Sequence, residues 1–392
     1  MVTRQPLRVL QLVSSLNVGG AEQIVLNLAE QVNSRQFETH VCSLSRIGAQ
    51  SLQPAFEKLG VPLLALNSQH FYSLKTVRTV EKYIRTQKID LIHTHLTDAD
   101  ITGRILGRTL KIPVLSTMHN MPHNYARQRG DRYWLERLTA RYWATHLVAV
   151  SPNIREMYIS EWHIPPMKIS AINNSVQMEP FLAVAEGVLA EREFPGPIIT
   201  NVARFNPQKA QHILLAAAAL VIEKIPTAHF LMVGKGHMEK PLRQQAQDLG
   251  IANNVIFTGV RHDIPHVLAQ SDIFALSSLW EGVPLSVIEA MAAARPVVVT
   301  AVGGNVELVE SGLSGLVVPP DSAPVLAEAL LTLIRDEDRR LALGRSARQR
   351  VQHLFSPTQF IHQYEQLYQR FRSGKVTPIV AGFRSVGTGS KL

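Results

Sequence analysis

Two carboxylates, Glu281 and Glu289, stand eight positions apart in the run Ser277–Ala292, and the residues between them give that spacing a shape. Gly282 permits a sharp turn and Pro284 suits a helix start, which places Glu289 about one turn inside the helix. Amides at such a start attract a diphosphate, and a carboxylate one turn in can accept two hydrogen bonds from a vicinal diol. Gly282, Val283, Pro284 and Leu285 therefore read as a diphosphate-binding turn, with Glu289 behind it. The neighbours of Glu289 are Val287, Ile288, Ala290 and Met291. A carboxylate buried among them requires a partner, whereas one on a solvated helix face does not.

Arg204 and Lys209 follow the apolar run Ile198–Val202 and stand five positions apart. On one loop they can converge on a phosphate pair, the guanidinium as a fork and the ammonium as a point charge; taken singly they are ordinary surface charges. Near the N-terminus, Gly19 and Gly20 open a helix-period segment directly after a β-branched run. A glycine pair there lets backbone amides approach a phosphate, or simply makes a tight turn. The pattern departs from G-x-G-x-x-G, and no acidic residue closes the second strand, so a dinucleotide fingerprint is absent. His119 follows Val114–Met118, at the strand end where open α/β sheets bind ligands, although a structural histidine fits the same place. With cations and helix dipoles available to meet phosphate charge, neither a metal ion nor a resident cofactor is expected.

These side chains need a frame, and the apolar pattern supplies one. Strands are predicted over Arg8–Val13, His40–Leu44, Leu63–Leu66, Leu91–His95, Val114–Met118 and His146–Val150 in the first half. In the second half they fall over Ile198–Val202, His229–Val233, Val255–Thr258, Ile273–Ser277, Pro296–Thr300 and Gly315–Val318. Helical stretches such as Ala21–Gln31, Leu74–Thr86, Gln211–Ile222, Met238–Leu249 and Ala323–Ile334 lie between them. The rhythm is that of parallel, doubly wound sheets, and its restart near residue 198 predicts two Rossmann-like α/β domains, whose substrates usually bind in a cleft between them. The boundaries read as 1–177 for the first domain, 178–197 for a linker rich in proline and glycine, and 198–356 for the second. An amphipathic helix over 357–372 and a Gly/Ser-rich tail over 373–392 complete the chain.

Composition narrows the classes. A length of 392 residues suits two domains, and 46% hydrophobic against 18% charged residues excludes a disordered chain. The single cysteine, Cys42, excludes a disulfide scaffold and points to a reducing, cytoplasmic compartment. The longest apolar run, Ile213–Ile222, has ten residues, about half of a membrane span. Val9–Val13 after Arg8 is too short for a signal-peptide core, so no cleavage is expected.

The net charge of +9 is lopsided: before residue 174, 20 Lys and Arg face 12 Asp and Glu, while the remainder holds 20 against 19. A basic first half suits an anionic partner, nucleic acid or lipid, or else is a solvated surface. The densest stretch is Asn124–Trp143, where Arg127, Arg129, Arg132, Arg137 and Arg141 interleave with Tyr125, Tyr133, Trp134, Tyr142 and Trp143. Such a helix can lie in a headgroup layer, with Arg127, Arg129, Arg132 and Trp134 meeting the membrane, or pack on a sheet with a basic outer face.

Taken in order, the motifs resemble those of the retaining glycosyltransferases of family 4, whose E-x7-E signature matches Glu281–Glu289. The resemblance runs through Gly19-Gly20-Ala21-Glu22, His119, Ser151, Asn174, Arg204 with Lys209, Val233–Gly236, Phe257–Ile264 and Gly303–Glu307. It implies the GT-B fold, with the two Rossmann-like domains facing across a cleft and the C-terminal helix crossing back to the first. Arg204 and Lys209 would hold the donor diphosphate, Glu289 the ribose and Glu281 a hydroxyl of the transferred sugar. Gly234, Val260, Arg261 and the Gly282–Leu285 turn would line the donor site, with Gly19, Gly20 and His119 from the first domain at the reacting centre. Ala203, Ala210 and Ala294 stand where the family usually has glycine, and Ser175 and Gln177 depart from Asn-Gly-Val-Asp. The implied activity is transfer of a hexose-type sugar from a nucleotide-diphosphate sugar to an acceptor hydroxyl, with retention. The implied acceptor is lipid-linked or a glycan, in glycolipid or cell-surface polysaccharide synthesis. An anionic membrane surface on the inner face is the further partner, and nucleic acid is not one. The alternatives are a nucleotide-sugar epimerase or glycan phosphorylase on the same fold, or a nucleic-acid-binding protein using the basic half.

Overall fold

The computed structural model describes residues 5–45, 48, 51–68, 73–122, 130–185 and 194–373. They divide into two compact units, one running to Ile172 and resuming at Ile361, the other spanning Asn173–Phe360.

The first unit is built on seven parallel strands: β1 Leu7–Val13, β2 Phe37–Ser45, β3 Leu63–Ser68, β4 Leu91–His95, β5 Val114–Met118, β6 His146–Ala149 and β7 Ile169–Ala171. Their order is β3-β2-β1-β4-β5-β6-β7. β4 and β5 are buried at every position, as strands covered on both faces must be. The crossover helices Leu74–Thr86 and Pro152–Trp162 start on Ser73 and Ser151, whose side chains accept from the amides of Thr76 and Ile154. The sequence pattern shows six strands. The seventh has three residues and follows a short 3-10 turn, too little chain for alternation to register. The final helix, Pro357–Arg372, buries Tyr364, Leu367 and Tyr368 in this unit, with Tyr368 edge-on to Phe37 at 5.5 Å.

The second unit has six parallel strands: β8 Ile198–Val202, β9 His229–Val233, β10 Val255–Gly259, β11 Ile273–Leu276, β12 Val297–Thr300 and β13 Leu316–Val318. They are ordered β10-β9-β8-β11-β12-β13. Its main core gathers Leu214, Leu215, Phe230, Met232, Leu330 and Leu331 between the sheet and the helices Gln211–Lys224 and Ala323–Arg335. In each sheet the order reverses about its first strand: β1 lies between β2 and β4, and β8 between β9 and β11. Such a reversal opens a crevice at the strands' carboxyl ends, where ligands bind in open α/β sheets.

The chain enters the second unit at Asn173, and the expected linker is not all linker. Glu179–Ala185 is a helix, with Phe181 and Val184 buried, and the Val184 carbonyl accepts from Arg295 of the same unit. Proline and glycine frequency marked the segment, whereas its apolar side chains decide where it packs. Residues 186–193 of that linker and the tail beyond Ser373 lie outside the described residues.

Candidate active site

The reversal point of the second sheet collects the charged side chains singled out above. After β8 the chain passes Arg204, which is exposed, and forms a one-turn 3-10 helix, Pro207–Lys209. Asn206 caps that turn by accepting from the Lys209 amide. After β11, Ser277 Oγ donates to the carbonyls of Lys209 and Ala210, and Gln208 joins the same loop through its carbonyl to Leu279 N and its amide to Trp280 O. The two loops are thereby sewn together before any charge meets. Lys209 Nζ then reaches Glu281 Oε1 at 2.5 Å, and Ser278 Oγ donates to the same oxygen at 2.5 Å. Glu281 is almost wholly buried, so this pair is screened little by water. Oε2 of Glu281 keeps no hydrogen bond from the described residues and is the free acceptor of the group.

The turn Gly282–Leu285 is buried and held from both sides. The Gly282 carbonyl accepts from Gly304 N at 2.7 Å, and the Val283 carbonyl from Asn174 Nδ2 at 3.2 Å. A Cβ on Gly304 would come within 2.3 Å of the Gly282 carbonyl, so only glycine allows this approach. Pro284 caps the helix Leu285–Ala292, whose first amides have no intrahelical acceptor. Glu289 sits a little over one turn in and is half-buried, while its sequence neighbours Val287, Ile288, Ala290 and Met291 are buried. No hydrogen bond or ion pair reaches its carboxylate from the described residues, and desolvation pushes its pKa up to about 7. It is therefore the costly kind of group, a carboxyl placed among apolar neighbours with no protein donor.

The remaining donor-site candidates line the adjacent strand ends. Gly234, after β9, has φ of +137° and its Cβ would strike the Ala203 carbonyl at 2.0 Å, so the β9 loop lies flat on the Arg204 loop. Its amide donates to Gly259 at the end of β10, which leads to Val260 and Arg261. Arg261 forms a fork to Asp263 at 2.7 and 2.5 Å, and that hydrogen bonding holds Asp263 down at about 2. The second sheet thus brings Arg204, Lys209, Glu281, Glu289 and the Gly282–Leu285 turn to its reversal point, with Gly234, Val260 and Arg261 beside it.

In the first unit, Gly19 caps the helix Gly20–Gln31 after β1, and Glu22 is buried in its first turn, accepting from Ser15. A carboxylate thus already occupies that positive helix end, and the glycine pair forms the turn into the helix. His119 follows β5 and is partly exposed, its Nε2 lying 3.0 Å from Nδ1 of buried His95. Burial depresses its pKa to about 3, so it is a neutral imidazole at physiological pH.

Arg127 and Arg129 lie outside the described residues, and the helix begins at Gly130. Arg132 pairs with Asp98 while a third of its side chain, 34%, stays exposed, and Arg141 donates to the His163 carbonyl. The helix turns Glu136 inward onto Arg104 at 2.8 Å, both fully buried, and exposes Trp134, Leu135, Leu138 and Tyr142, with Trp143 exposed just after its end. The sequence has Asp-x-Asp spacings at Asp98/Asp100 and Asp336/Asp338. Asp98 is held by Arg132, Asp100 accepts from Thr94 at 2.5 Å, and Asp336 caps the Arg339 amide.

Ser278, Gln208 and Asn206 were missed at the sequence level, as was His95. Ser278 precedes Glu281 by three residues and could have been found from that proximity. His93 and His95 sit at alternate positions of one strand, hence on one face, a pattern that 15 scattered histidines conceal.

Residues 191–350 match the family model described as glycosyl transferases group 1, and residues 18–179 that described as glycosyltransferase family 4. The UDP-Gal:alpha-D-GlcNAc-diphosphoundecaprenol alpha-1,3-galactosyltransferase of Escherichia coli is 28% identical over 364 residues, covering 90% of this chain and 94% of that one. Among solved structures, Anabaena HepE in complex with UDP and glucose superposes with a TM-score of 0.81 at 24% identity, over 93% of this chain and 99% of its own. The sucrose-phosphate synthase of Thermosynechococcus elongatus gives 0.79 at 22% identity, over 94% and 100%. The shared fold is GT-B, two Rossmann-like units in one chain. Matched along both halves and over most of the length of a galactosyltransferase, the chain belongs to glycosyltransferase family 4.

Proposed function

We propose that this glycosyltransferase moves a hexose from a nucleotide-diphosphate sugar to a hydroxyl of a lipid-linked or glycan acceptor, with the anomeric configuration kept. The observation that carries the reading is Glu289, a desolvated carboxylate with no donor among the described residues, one turn inside a helix start. A ribose diol supplies the two O–H donors this group lacks, and the helix start and Arg204 then face the diphosphate. The E. coli relative is named for UDP-Gal and HepE was solved with UDP, which makes a uridine diphosphate sugar the first donor to test.

Chemically, the bond from the anomeric carbon to the diphosphate oxygen breaks as the acceptor oxygen bonds to the same face. The acceptor's proton passes to a leaving-phosphate oxygen. Developing charge on the diphosphate is met by Arg204, Lys209 and the amides of Leu285 and Ser286, the main work of such a site. Glu281, braced by Lys209 and Ser278, offers its remaining oxygen to a hydroxyl of the sugar. No covalent sugar intermediate is required.

The acceptor is read as membrane-borne because the helix Gly130–Tyr142 leaves aromatic and aliphatic side chains in solvent on the basic half of the chain. The enzyme then works as a peripheral protein on the inner membrane face. Among the described residues no helix is long and apolar enough to cross a membrane.

Incubation with UDP-hexoses and undecaprenyl-diphosphate sugar acceptors, with NMR of the product's anomeric coupling, tests the reading. An α-linked product from an α-linked donor is expected. Inversion overturns the stereochemical claim, and turnover without an acceptor points to an epimerase.

A further inference from the structure

His119 ends a chain of hydrogen bonds that runs through the buried core of the first unit. Its Nε2 meets His95 Nδ1 at 3.0 Å, and His95 Nε2 meets Gln11 Oε1 at 2.9 Å. The Gln11 amide nitrogen donates to Tyr368 OH at 2.9 Å, and that phenol reaches His93 Nδ1 at 2.8 Å. His93 Nε2 meets Thr117 Oγ1 at 2.8 Å, which lies 3.0 Å from Tyr364 OH. His93, His95, Gln11, Thr117 and both tyrosines are buried.

Every member can donate and accept, so the sense of one link sets the next. The Gln11 carbonyl oxygen only accepts. His95 must therefore carry its proton on Nε2, which leaves Nδ1 a lone pair. Desolvation keeps both His95 and His119 neutral, with no second proton to blur the assignment. His119 then donates from Nε2 and keeps an unprotonated Nδ1, which has no partner among the described residues. Onward, Tyr368 donates to His93, His93 to Thr117 and Thr117 to Tyr364, a consistent sense throughout.

The geometry points to His95 as a positioning residue that, braced by Gln11, fixes His119 as the Nε2–H tautomer and so presents Nδ1 as a hydrogen-bond acceptor. This rests on the proposed function for its consequence: a sugar hydroxyl is the O–H donor that a bare, neutral Nδ1 suits. The wire has a self-consistent opposite sense, with the Gln11 amide turned over and His119 protonated on Nδ1, in which it would offer a donor. The two senses present opposite faces to a ligand, so the difference is measurable.

The test is nitrogen-15 NMR of histidine-labelled full-length protein, in which two-bond couplings separate protonated from lone-pair ring nitrogens. For the parent protein a protonated Nε2 and bare Nδ1 at His119 are expected; the reverse overturns the proposal. In His95→Phe the His119 signals should move toward a tautomer mixture, and kcat should fall about ten-fold to a hundred-fold while nucleotide Kd stays unchanged. His95→Gln, whose amide can accept from His119 and donate to Gln11, should restore the tautomer and most of kcat. An unchanged tautomer in His95→Phe overturns the proposal, and if that variant fails to fold, the parent spectrum still decides. Should no sugar be transferred by any protein, the functional reading fails while the tautomer measurement stands by itself.

Discussion

Lys209 Nζ and Glu281 Oε1 lie 2.5 Å apart, 72 positions apart in sequence, and join the loops that follow β8 and β11. Each residue was expected to touch a different part of the donor, the diphosphate and the sugar. Their pairing means that the two roles share one charge balance. Lys209→Met should cost about 1–3 kcal/mol in urea unfolding, since it strands a buried carboxylate with Ser278 as its remaining donor. Adding Glu281→Gln should recover much of that loss, because no uncompensated charge stays buried. Additive losses would show that the pair is not coupled.

Glu289 should trade stability against binding. Its pKa is raised from 4.5 to about 7, so folding is penalised above pH 7 and the penalty fades on acidification, vanishing below pH 4.5. Glu289→Gln is expected to raise Tm at pH 8 and to leave it unchanged at pH 4, while weakening nucleotide binding about ten-fold to a hundred-fold. Because the diol favours the ionised carboxylate, parent affinity should climb between pH 6 and pH 8 and the variant's should not. A pH-independent Tm difference would remove the burial argument.

Ala294 sits at φ +55°, in left-handed backbone that costs a residue with a Cβ about 1–2 kcal/mol. Ala294→Gly should be neutral or raise thermal stability by up to about 1 kcal/mol once the extra freedom of the unfolded chain is counted. Ala290→Gly, inside the helix Leu285–Ala292, should lose about 1 kcal/mol. Parallel melts distinguish them, and equal losses would contradict the strain.

Turnover should survive chelation, with most activity retained in excess EDTA, because cations and a helix start supply the positive field. Activity abolished by EDTA and restored by magnesium would require a metal that the proposal omits.

Membrane docking is tested on the apolar side chains, since Arg132 is committed to Asp98. Trp134→Ser with Leu138→Ser should cut co-sedimentation with phosphatidylglycerol vesicles by about ten-fold or more at low salt, and leave nucleotide binding intact. Parent protein that stays in the supernatant would favour a soluble acceptor.

Strand positions were largely legible because both sheets are parallel and buried, so nearly continuous apolar runs mark them; Leu91–His95 and Ile198–Val202 match to the residue. The reversal-point residues were legible from motif order. Glycine positions carried information even where glycine is missing: Ala210 and Ala294, read as departures from a glycine pattern, both adopt positive φ. What composition hid was the direction of side chains. Arg132 and Glu136 look alike in a basic, aromatic stretch, yet one pairs at the surface and the other is buried on Arg104. The same limit hid His95, whose importance lies in a contact to the next strand.

Tyr364 and Tyr368 belong to the last helix, yet they close the hydrogen-bond wire of the first unit. During synthesis, the ribosome therefore completes the whole of Asn173–Phe360 before it delivers the two phenols that His93 and Thr117 await. The first unit waits with a polar seam open in its interior, and the last helix works as a late-arriving keystone. Released as a fragment ending at Ile172, that unit would keep its seven strands' worth of sequence but not the partners for its buried histidines.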